Sequence, residues 1–542
     1  MRFLALLLLI PLLACKQGQQ DTRDYSATGT PAHGDMFVSA SIGGATNLVP
    51  WLAGESASSE IASSIYDSLL KYDGNLNLIG QLAERWEVAP DNLTLTFYLK
   101  KNVLWHDGQP FTSADVLATV NALLAPNTRT PYAGDYQTIA RMETPDAHTF
   151  KVTYKEPFAP ALSSWAGLAI LPKHILELDK DVNETRLKTQ PMGTGPYTLT
   201  SWDAGTETVL TANPRYFGGE PYINKLRLRV IPDQDTQFME LKAGRIDTMG
   251  LKPVQFTRLT GKDDFTKRYA KYSYLGFGYT YVGFNLKRWP FNERAVRLAL
   301  SSATPRQALI DGILQGQGEA ISSVFKPGTW ANNTRLPPIA YDPAKAKAIL
   351  AEAGWADTNG DGIVEKNGKP LAFTLITNQG NDQRIKTAEI LQQVYREVGV
   401  DMNIQVQEWR TFLENTLYPR NFEAYILGWS LTPEPDPYDI WHSSKQGARE
   451  FNVIGFENAE ADKLMETARK TFDQAERKKL LDQFQEILYA EQPTLLLYAP
   501  YALTAVHRRF KGITPAPAGI GYNSLEWYVP KGQQIYQTAI TP

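Results

Sequence analysis

The sequence predicts an α/β protein in which strands and helices alternate along most of the chain. Two observations support this prediction. Several short segments alternate apolar and polar residues, whereas others place apolar residues at helical spacing. In the second half these segments follow one another in a β-α-β-α-β order, which predicts parallel strands joined by helical crossovers.

The first half predicts a mixed α+β region. A strand near Met36 precedes a short helix in SSEIASSIYDSLLKY (58–72), and NLTLTFYLK (92–100) has the period-two alternation of a half-buried strand. A helix is predicted to begin at Thr112, because the acid three residues later interacts favourably with a helix dipole. A further alternating strand follows in HTFKVTY (148–154).

The second half predicts the parallel sheet. Thr304-Pro305-Arg306-Gln307 has the composition of a capping box, and Asp342-Pro343 predicts another helix start. The strands and crossover helices are then predicted, in order, in LAFTLIT (371–377), RIKTAEILQQVYREVG (384–399), the strand 400–406, a helical stretch from Trp409, and FEAYILGW (422–429).

Two of these strands end in loops that suit a binding site. Ligands of open α/β sheets bind beyond the carboxyl ends of the strands. One strand ends at Thr377 and Asn378, and another enters GWSLTPEPDPYDIWH (428–442), whose three prolines predict a rigid loop. Three acids lie between two tryptophans in this loop, a composition suited to a ligand with positive charge and apolar surface.

Composition excludes several classes of protein. The chain has 542 residues, enough for several domains, and its formal net charge is −3. Nucleic-acid binding usually requires a basic face, so we expect no nucleic-acid partner. Cys15 is the only cysteine, which excludes disulfides, zinc–thiolate sites and thiol catalysis from the mature fold.

The N-terminus, MRFLALLLLIPLLAC, predicts export. Its apolar stretch is too short to span a bilayer as a mature helix. Leu12-Leu13-Ala14-Cys15 resembles a bacterial lipobox, which implies lipidation of Cys15. We expect residues 1–14 to be a lipoprotein signal peptide and residues 15–35 a lipidated flexible tether, with the protein anchored in the bacterial cell envelope. The alternative is an ordinary signal peptide with a chance cysteine.

Four ordered stretches resemble a single family. They are AERWEVAPDNLTLTFYLKKNVLWHDGQPFTSADV (83–116), MGTGPYTLTSW (192–202), YVGFNLKRWPFNERAVRLALSSATPRQALIDGILQGQGEA (281–320) and GW…DP (428–437). These stretches resemble the family 5 extracellular solute-binding proteins, which are peptide and nickel receptors of bacterial ABC importers. The resemblance extends from about Met36 to the C-terminus.

The resemblance implies the type II periplasmic-binding-protein fold. In that α/β fold, two lobes are joined by a two-strand hinge, and here an α+β subdomain would be inserted in the first lobe. The first lobe would comprise residues 36–55, 175–275 and 505–542, the inserted subdomain residues 56–174, and the second lobe residues 276–504. The hinge would lie near Tyr272–Tyr281 and Tyr501–Val506, and the lobes would close around a ligand.

The resemblance also implies a function. The chain would be the substrate-binding component of an ABC importer, a monomer that captures an oligopeptide-like solute and delivers it to the transmembrane permease, with no catalysis and no cofactor. Relatives hold peptides largely by main-chain hydrogen bonds, and an acid after the GW motif binds the ligand's amino group. The candidate ligand-binding residues are Trp429, Asp436, Glu434, Trp409, Thr432, Thr377, Asn378, Gly43 and Gly44.

The chain departs from the dipeptide-receptor pattern at both anchors for the ligand. Those relatives have an acid three residues after the tryptophan, where this chain has Thr432, and its acids Glu434 and Asp436 lie further on. In place of an arginine for the ligand carboxylate, the chain has Thr377 and Asn378. A longer or modified peptide, a saccharide, an amine or a metal chelate therefore stay open as ligands. The alternative from another class is an exported peptide or amide hydrolase.

One motif concerns metal binding. DTNGDGIVE (357–365) places acids and glycine at EF-hand spacing, but the twelfth position is Gly368 and not the bidentate glutamate. We therefore expect a hairpin turn and no bound metal. The six histidines show no paired metal-ligand spacing, although His442 lies close to the predicted binding loop.

Overall fold

The computed structural model describes Tyr25 and residues 29–52, 56–130, 132–447 and 450–536. The predicted signal peptide and Cys15 lie outside these residues. Among the helices that are described, we find none that is both long and apolar enough to cross a membrane.

The strands of the described residues form five sheets. The strands are β1 Gly34–Ser41, β2 Leu70–Tyr72, β3 Leu78–Gly80, β4 Ala83–Val88, β5 Thr94–Leu99, β6 Ile139–Asp146, β7 Thr149–Tyr154, β8 Tyr197–Asp203, β9 Glu207–Ala212, β10 Ile223–Val230, β11 Thr248–Gly250, β12 Tyr269–Leu275, β13 Gly278–Phe284, β14 Gly318–Ala320, β15 Glu365–Lys366, β16 Lys369–Pro370, β17 Ala372–Asn378, β18 Asp401–Gln407, β19 Ala424–Ser430 and β20 Thr494–His507.

The helices are distributed along both halves of the chain. They are α1 Ser56–Ile65, α2 Ser113–Leu123, α3 Ala161–Gly167, α4 Lys173–Asp179, α5 Gln234–Lys242, α6 Asp263–Arg268, α7 Arg294–Ser302, α8 Arg306–Ile313, α9 Pro343–Glu352, α10 Asp382–Arg396, α11 Trp409–Thr411, α12 Tyr438–Trp441, α13 Ala459–Lys470 and α14 Gln474–Glu491. Shorter 3-10 and π turns occupy Pro50–Leu52, Gly134–Tyr136, Val182–Glu184, Arg186–Lys188, Gln255–Leu259, Phe412–Leu417, Gly521–Glu526 and Lys531–Gln533.

The alternating pattern of the first half is confirmed. The antiparallel sheet β4-β5-β7-β6 places Leu95 opposite Val152 and Phe97 opposite Phe150, and all four side chains are buried in one core. A separate sheet, β1-β10-β9-β8, pairs β1 with β10 in parallel and the other strands antiparallel. Alternation therefore predicted not only the strands but also the face that packs inward.

The predicted helix starts have different outcomes. The helix predicted at Thr112 is confirmed: α2 follows this residue, and the Asp115 carboxylate accepts a hydrogen bond from the Thr112 backbone N–H at 2.8 Å. The capping box predicted at Thr304 is wrong. The Thr304 hydroxyl donates to the carbonyl of Leu300 in the preceding helix α7 at 2.7 Å and does not cap α8.

The predicted β-α-β-α-β order is confirmed. β17 lies between β18 and β19 and is parallel to both, and α10 connects β17 to β18. The sheet continues in the order β11-β20-β13-β19-β17-β18, with β12 and β14 also paired with β20. Because β13 and β20 are antiparallel to their neighbours, the sheet is mixed and not purely parallel.

Strand β20 connects two regions of the molecule. Its first half pairs with β13 and packs in a core formed by residues of the second half of the chain, whereas its second half pairs with β11 and β12. The second half of β20 packs in another core, which also contains Val38 of β1. The only other strand connection between these regions in the described chain is the step from β12 to β13 through Gly276 and Phe277.

A buried ion-pair cluster joins the N-terminal and C-terminal parts of the described chain. The Arg509 guanidinium, about 1% exposed, contacts the carboxylates of Asp35 at 3.0 Å and Asp247 at 2.6 Å. Asp35 also accepts a hydrogen bond from the backbone N–H of Tyr536 at 3.0 Å. Burial raises the pKa of the Asp247 carboxyl, although Arg509 opposes this shift. The cluster holds β1, β11 and the C-terminal segment together.

Candidate functional site

A cavity of about 330 Å³ lies at the carboxyl end of β19. Its walls are Phe277 and Tyr279 near the start of β13, residues between 324 and 329, most of the loop 429–441, and Phe451. This volume is within the range of small-ligand sites, about 300–1,000 Å³. A depression of about 680 Å³ lies over α10 and the start of β18, but no predicted site residue lines it.

Trp429 forms an aromatic wall of this cavity. Its ring is parallel to that of Tyr281, with centroids 6.3 Å apart, and meets the ring of Phe451 edge-on at 5.6 Å. The antiparallel register of β13 and β19 places Tyr279 opposite Trp429. Aromatic packing on two sides therefore fixes the orientation of the indole at the cavity wall.

Asp436 lines the cavity but is engaged within the protein. Its Oδ2 lies 3.0 Å from Nε of Arg469 on α13, and its Oδ1 accepts a hydrogen bond from the backbone N–H of Tyr438 at 3.1 Å. Burial raises the pKa of the Asp436 carboxyl, and the nearby Arg469 guanidinium opposes this shift. Its local bond to Tyr438 is the Asx-type contact expected of a turn acid.

Glu434 is shared between two parts of the fold. One carboxylate oxygen forms an ion pair with Arg477 of α14, and the other accepts a hydrogen bond from the hydroxyl of Ser163 in α3. Ser163 in turn accepts a hydrogen bond from the hydroxyl of Tyr72 at 2.8 Å. Glu434 also lines a second cavity of about 190 Å³, whose other walls include Trp330. The loop is thus fastened to the region that contains β2 and α3.

Three further polar or charged residues line the cavity, namely Thr432, Lys326 and Asp439. Thr432 lines it, and the Thr432 hydroxyl donates to the backbone carbonyl of Glu434 at 2.9 Å. The ammonium group of Lys326 lies 3.6 Å from the ring centroid of Phe277 and donates to the carbonyl of Pro517 at 2.6 Å. Burial lowers the pKa of Lys326 to about 8. Asp439 is well exposed and pairs with a lysine of its own segment.

The predicted polar strand end does not reach the cavity. Thr377 is fully buried, and its hydroxyl donates to the carbonyl of Ile426 in the neighbouring strand at 3.3 Å. Asn378 accepts a hydrogen bond from Nη1 of Arg384 at 2.9 Å. Arg384 lies beside Gly428, where a Cβ would be only 3.0 Å from Nη2. The arginine missing from the strand end is therefore present nearby, on α10.

The remaining predicted site residues lie elsewhere. Trp409 is 47% exposed and contacts Phe412, with ring centroids 6.3 Å apart, outside the cavity lining. Gly43 has open space around its Cα. A Cβ on Gly44 would lie 1.6 Å from the carbonyl oxygen of Ala204, so this glycine permits close approach of two backbone segments. In this structure the backbone that approaches Gly44 is the protein's own.

Sequence reasoning missed the cations that surround the loop. Arg477 is 43 positions from Glu434, and Arg469 lies on a different helix from Arg477. Neither residue stands out in the helical pattern, because arginine is ordinary on helix surfaces. The sequence did carry one signal: the proline-rich loop has acids but no lysine or arginine, so any of these acids that is buried requires a cationic partner from outside the loop.

Comparisons with known proteins agree with this architecture. Residues 77–450 match the family model described as "Bacterial extracellular solute-binding proteins, family 5 Middle". The oligopeptide-binding protein AppA of Bacillus subtilis (strain 168) is 33% identical over 538 residues, which cover 97% of each chain.

Solved structures extend the comparison to the fold. The structure of AppA from Bacillus subtilis in complex with a nonapeptide is 32% identical, covers 93% of this chain and 100% of that one, and has a TM-score of 0.76. NikZ from Campylobacter jejuni in complex with Ni(L-His) is 25% identical, covers 91% and 99%, and has a TM-score of 0.77. The expected two-lobe α/β fold of type II is confirmed.

We predict that Gly44→Ala destabilises the protein and that Gly43→Ala does not. The added methyl group at position 44 meets the backbone of Ala204, whereas position 43 has open space. Overpacking of this kind costs about 1–3 kcal/mol, which thermal unfolding would measure. Unchanged stability together with weaker ligand binding in Gly44→Ala would instead place Gly44 at the ligand.

We predict that Arg477→Met destabilises the protein by about 3 kcal/mol, because it leaves the mostly buried Glu434 carboxylate without its cation. Urea unfolding would measure the change. Lys479→Met on the same helix is the matched control, because its ion pair with Glu476 is exposed, and it should leave the unfolding midpoint unchanged. Equal midpoints for the two variants would contradict the structural role of Arg477.

Proposed function

We propose that this chain, which belongs to the bacterial extracellular solute-binding proteins of family 5, is the substrate-binding component of an ABC importer for oligopeptides. The proposal rests on one combination of observations. The chain has a cavity with an aromatic wall at the carboxyl end of β19, and it is 33% identical over nearly its whole length to an oligopeptide-binding protein. The related structure of AppA is that of a complex with a nonapeptide, which supports a peptide as the ligand.

In this proposal the ligand is held mainly by its backbone and by apolar contacts. The acids Glu434 and Asp436 already have arginine partners, so neither is a bare charge in the cavity. Main-chain hydrogen bonds together with contacts to the indole of Trp429 would suit peptides of varied sequence, because every peptide presents the same backbone. We therefore propose Trp429, Thr432, Glu434 and Asp436 as the cavity residues, with Trp429 as the main contact.

We propose that the two lobes close to capture the solute and that the second lobe comprises residues 276–504. Contacts between residues 156–159 and the end of α13 support this view. The backbone N–H of Ala159 donates to the carbonyl of Arg469 at 2.6 Å, and Lys470 pairs with Glu156 at 2.9 Å. Opening of the lobes would break such contacts, which would therefore contribute to the equilibrium that a ligand shifts.

The proposed role requires no chemical conversion of the solute and no cofactor. We further propose that the protein is exported and held at the cell envelope by a lipid on Cys15, which the lipobox-like sequence before this cysteine supports. A single lipid-modified terminus allows the lobes to meet the permease while the fold stays outside the membrane.

We predict that the purified protein binds oligopeptides and that Trp429→Ala lowers their affinity by at least about tenfold, since a buried aromatic anchor contributes about 2 kcal/mol or more. Isothermal titration calorimetry with peptides of four to nine residues would measure this, after the co-purified solute has been identified by mass spectrometry. Trp409→Ala is the matched control and should change affinity less than about twofold, because its side chain lies outside the cavity.

Other outcomes of the same titration would contradict the proposal. Binding of a nickel–histidine chelate or an oligosaccharide in place of peptides would favour the alternative receptors. Equal losses of peptide affinity in Trp429→Ala and Trp409→Ala would indicate that Trp409 also belongs to the binding site. Appearance of cleaved peptide would indicate a hydrolase.

We predict that Cys15→Ser releases the protein from the membrane fraction, because the lipid would no longer be attached. Fractionation followed by mass spectrometry of the mature N-terminus would test this, and peptide affinity of the released protein should be unchanged. A wild-type protein that begins upstream of residue 15, or that carries no acyl mass, would contradict the anchor.

A further inference from the structure

The acidic turn 357–365 forms a compact cluster on the second half of the chain. One carboxylate oxygen from each of Asp357, Asp361 and Glu365 lies within 4.8 Å of one from each of the others. Two oxygens on opposite sides of a Ca²⁺ ion, at about 2.4 Å each, are about 4.8 Å apart, so these separations are compatible with a single ion. The Asp357 carboxylate also accepts backbone N–H hydrogen bonds from Gly360 and Gly362, at 2.7 and 3.0 Å, and Asp361 accepts one from Ile363 at 2.8 Å.

Glu365 supplies an observation that the acidic cluster alone does not. Its side chain is only 7% exposed, and its Oε2 accepts hydrogen bonds from the backbone N–H and the hydroxyl of Thr358, at 2.8 and 2.9 Å. Its Oε1 is buried and has no hydrogen-bond partner. A buried carboxylate oxygen without a partner carries a large desolvation cost, and a bound cation removes it.

Glu365 is the ninth residue of the turn counted from Asp357, whereas an EF-hand loop has its bidentate glutamate at the twelfth position. Residues Ala356 and Glu365 form an antiparallel bridge, with N–H to carbonyl distances of 3.0 and 2.8 Å, so the turn is closed at the ninth position. Gly362 has φ +85°, the left-handed conformation that the sixth position of such a loop requires. The closed turn therefore places an acid at its ninth position, Glu365, beside Asp357 and Asp361.

The basic groups near the turn are engaged with other acids. Lys366 pairs with Glu293 at 2.7 Å. The Arg396 guanidinium lies 3.4 Å from the backbone carbonyl of Asp361 and 3.6 Å from the carboxylate of Asp401. In the described part of the chain, neither base forms an ion pair with a carboxylate of the cluster.

We propose that Asp357, Asp361 and Glu365 bind one Ca²⁺ ion. The oxygen-only donor set is the chemistry that Ca²⁺ prefers, and the expected affinity is that of extracellular modules, with a Kd of about 10⁻⁴–10⁻³ M. The turn is attached to the core rather than to the ligand cavity: Val364 donates a backbone hydrogen bond to Gly399 at 2.9 Å, ahead of β18. Calcium therefore stabilises the fold and leaves solute affinity unchanged.

The test uses the mature protein after treatment with a chelator. Isothermal titration with CaCl₂ should show one site, and saturating Ca²⁺ should raise the thermal unfolding midpoint by a few degrees, as binding to the native state requires. Glu365→Gln retains the side-chain shape and should weaken Ca²⁺ binding at least tenfold. Asp361→Asn changes an exposed residue and serves as the second variant if Glu365→Gln does not fold.

The control variant is Glu389→Gln, an exposed acid of α10 outside the cluster, which should bind Ca²⁺ like the wild type. Absence of Ca²⁺ binding by the wild type, undiminished binding by the cluster variants, or tighter binding of Mg²⁺ than of Ca²⁺ would overturn the proposal. Peptide titrations with and without Ca²⁺ separate it from the proposed function, because the peptide affinity should be the same in both.

Discussion

The continuous pairing of β20 is the constraint on which the rest of the structure depends. This 14-residue strand pairs with β13 and β14 in one region and with β11 and β12 in the other, so one stretch of backbone belongs to both. The chain passes between the two regions a second time at Gly276 and Phe277, which join β12 to β13. In the proposed closure of the lobes, these two connections would act as the hinge about which the two regions rotate.

The cavity follows from this arrangement. Phe277 lies at the step between β12 and β13, and Trp429 lies near the end of β19, the strand paired with β13, so both aromatic side chains line the cavity beside the connection. Rotation of the two regions would change the space around them more than it would change either core. A receptor that encloses its solute needs its contacts at such a junction, because only contacts that differ between open and closed states shift the equilibrium.

The electrostatics of the loop show how a protein can keep acids near a cavity without fixing the charge of its ligand. Asp436 and Glu434 are each paired with an arginine from a long helix, and Glu434 also accepts a hydrogen bond from Ser163 of α3. This internal compensation removes the cost of burying unpaired charge. In the proposed function, backbone groups and aromatic surface would then recognise the solute, which fits a solute whose side chains vary.

The sequence by itself determined the local elements and their order. Alternation in β5 and helical spacing in α10 depend on neighbours within a few residues, so both were readable from the chain. Tertiary structure alone decided which side chains meet: Asp436 with Arg469, Gly44 with the carbonyl of Ala204, and Glu365 with the acids of its turn. Such contacts depend on the folding of distant or tightly turned segments onto one another, and no periodic pattern encodes them.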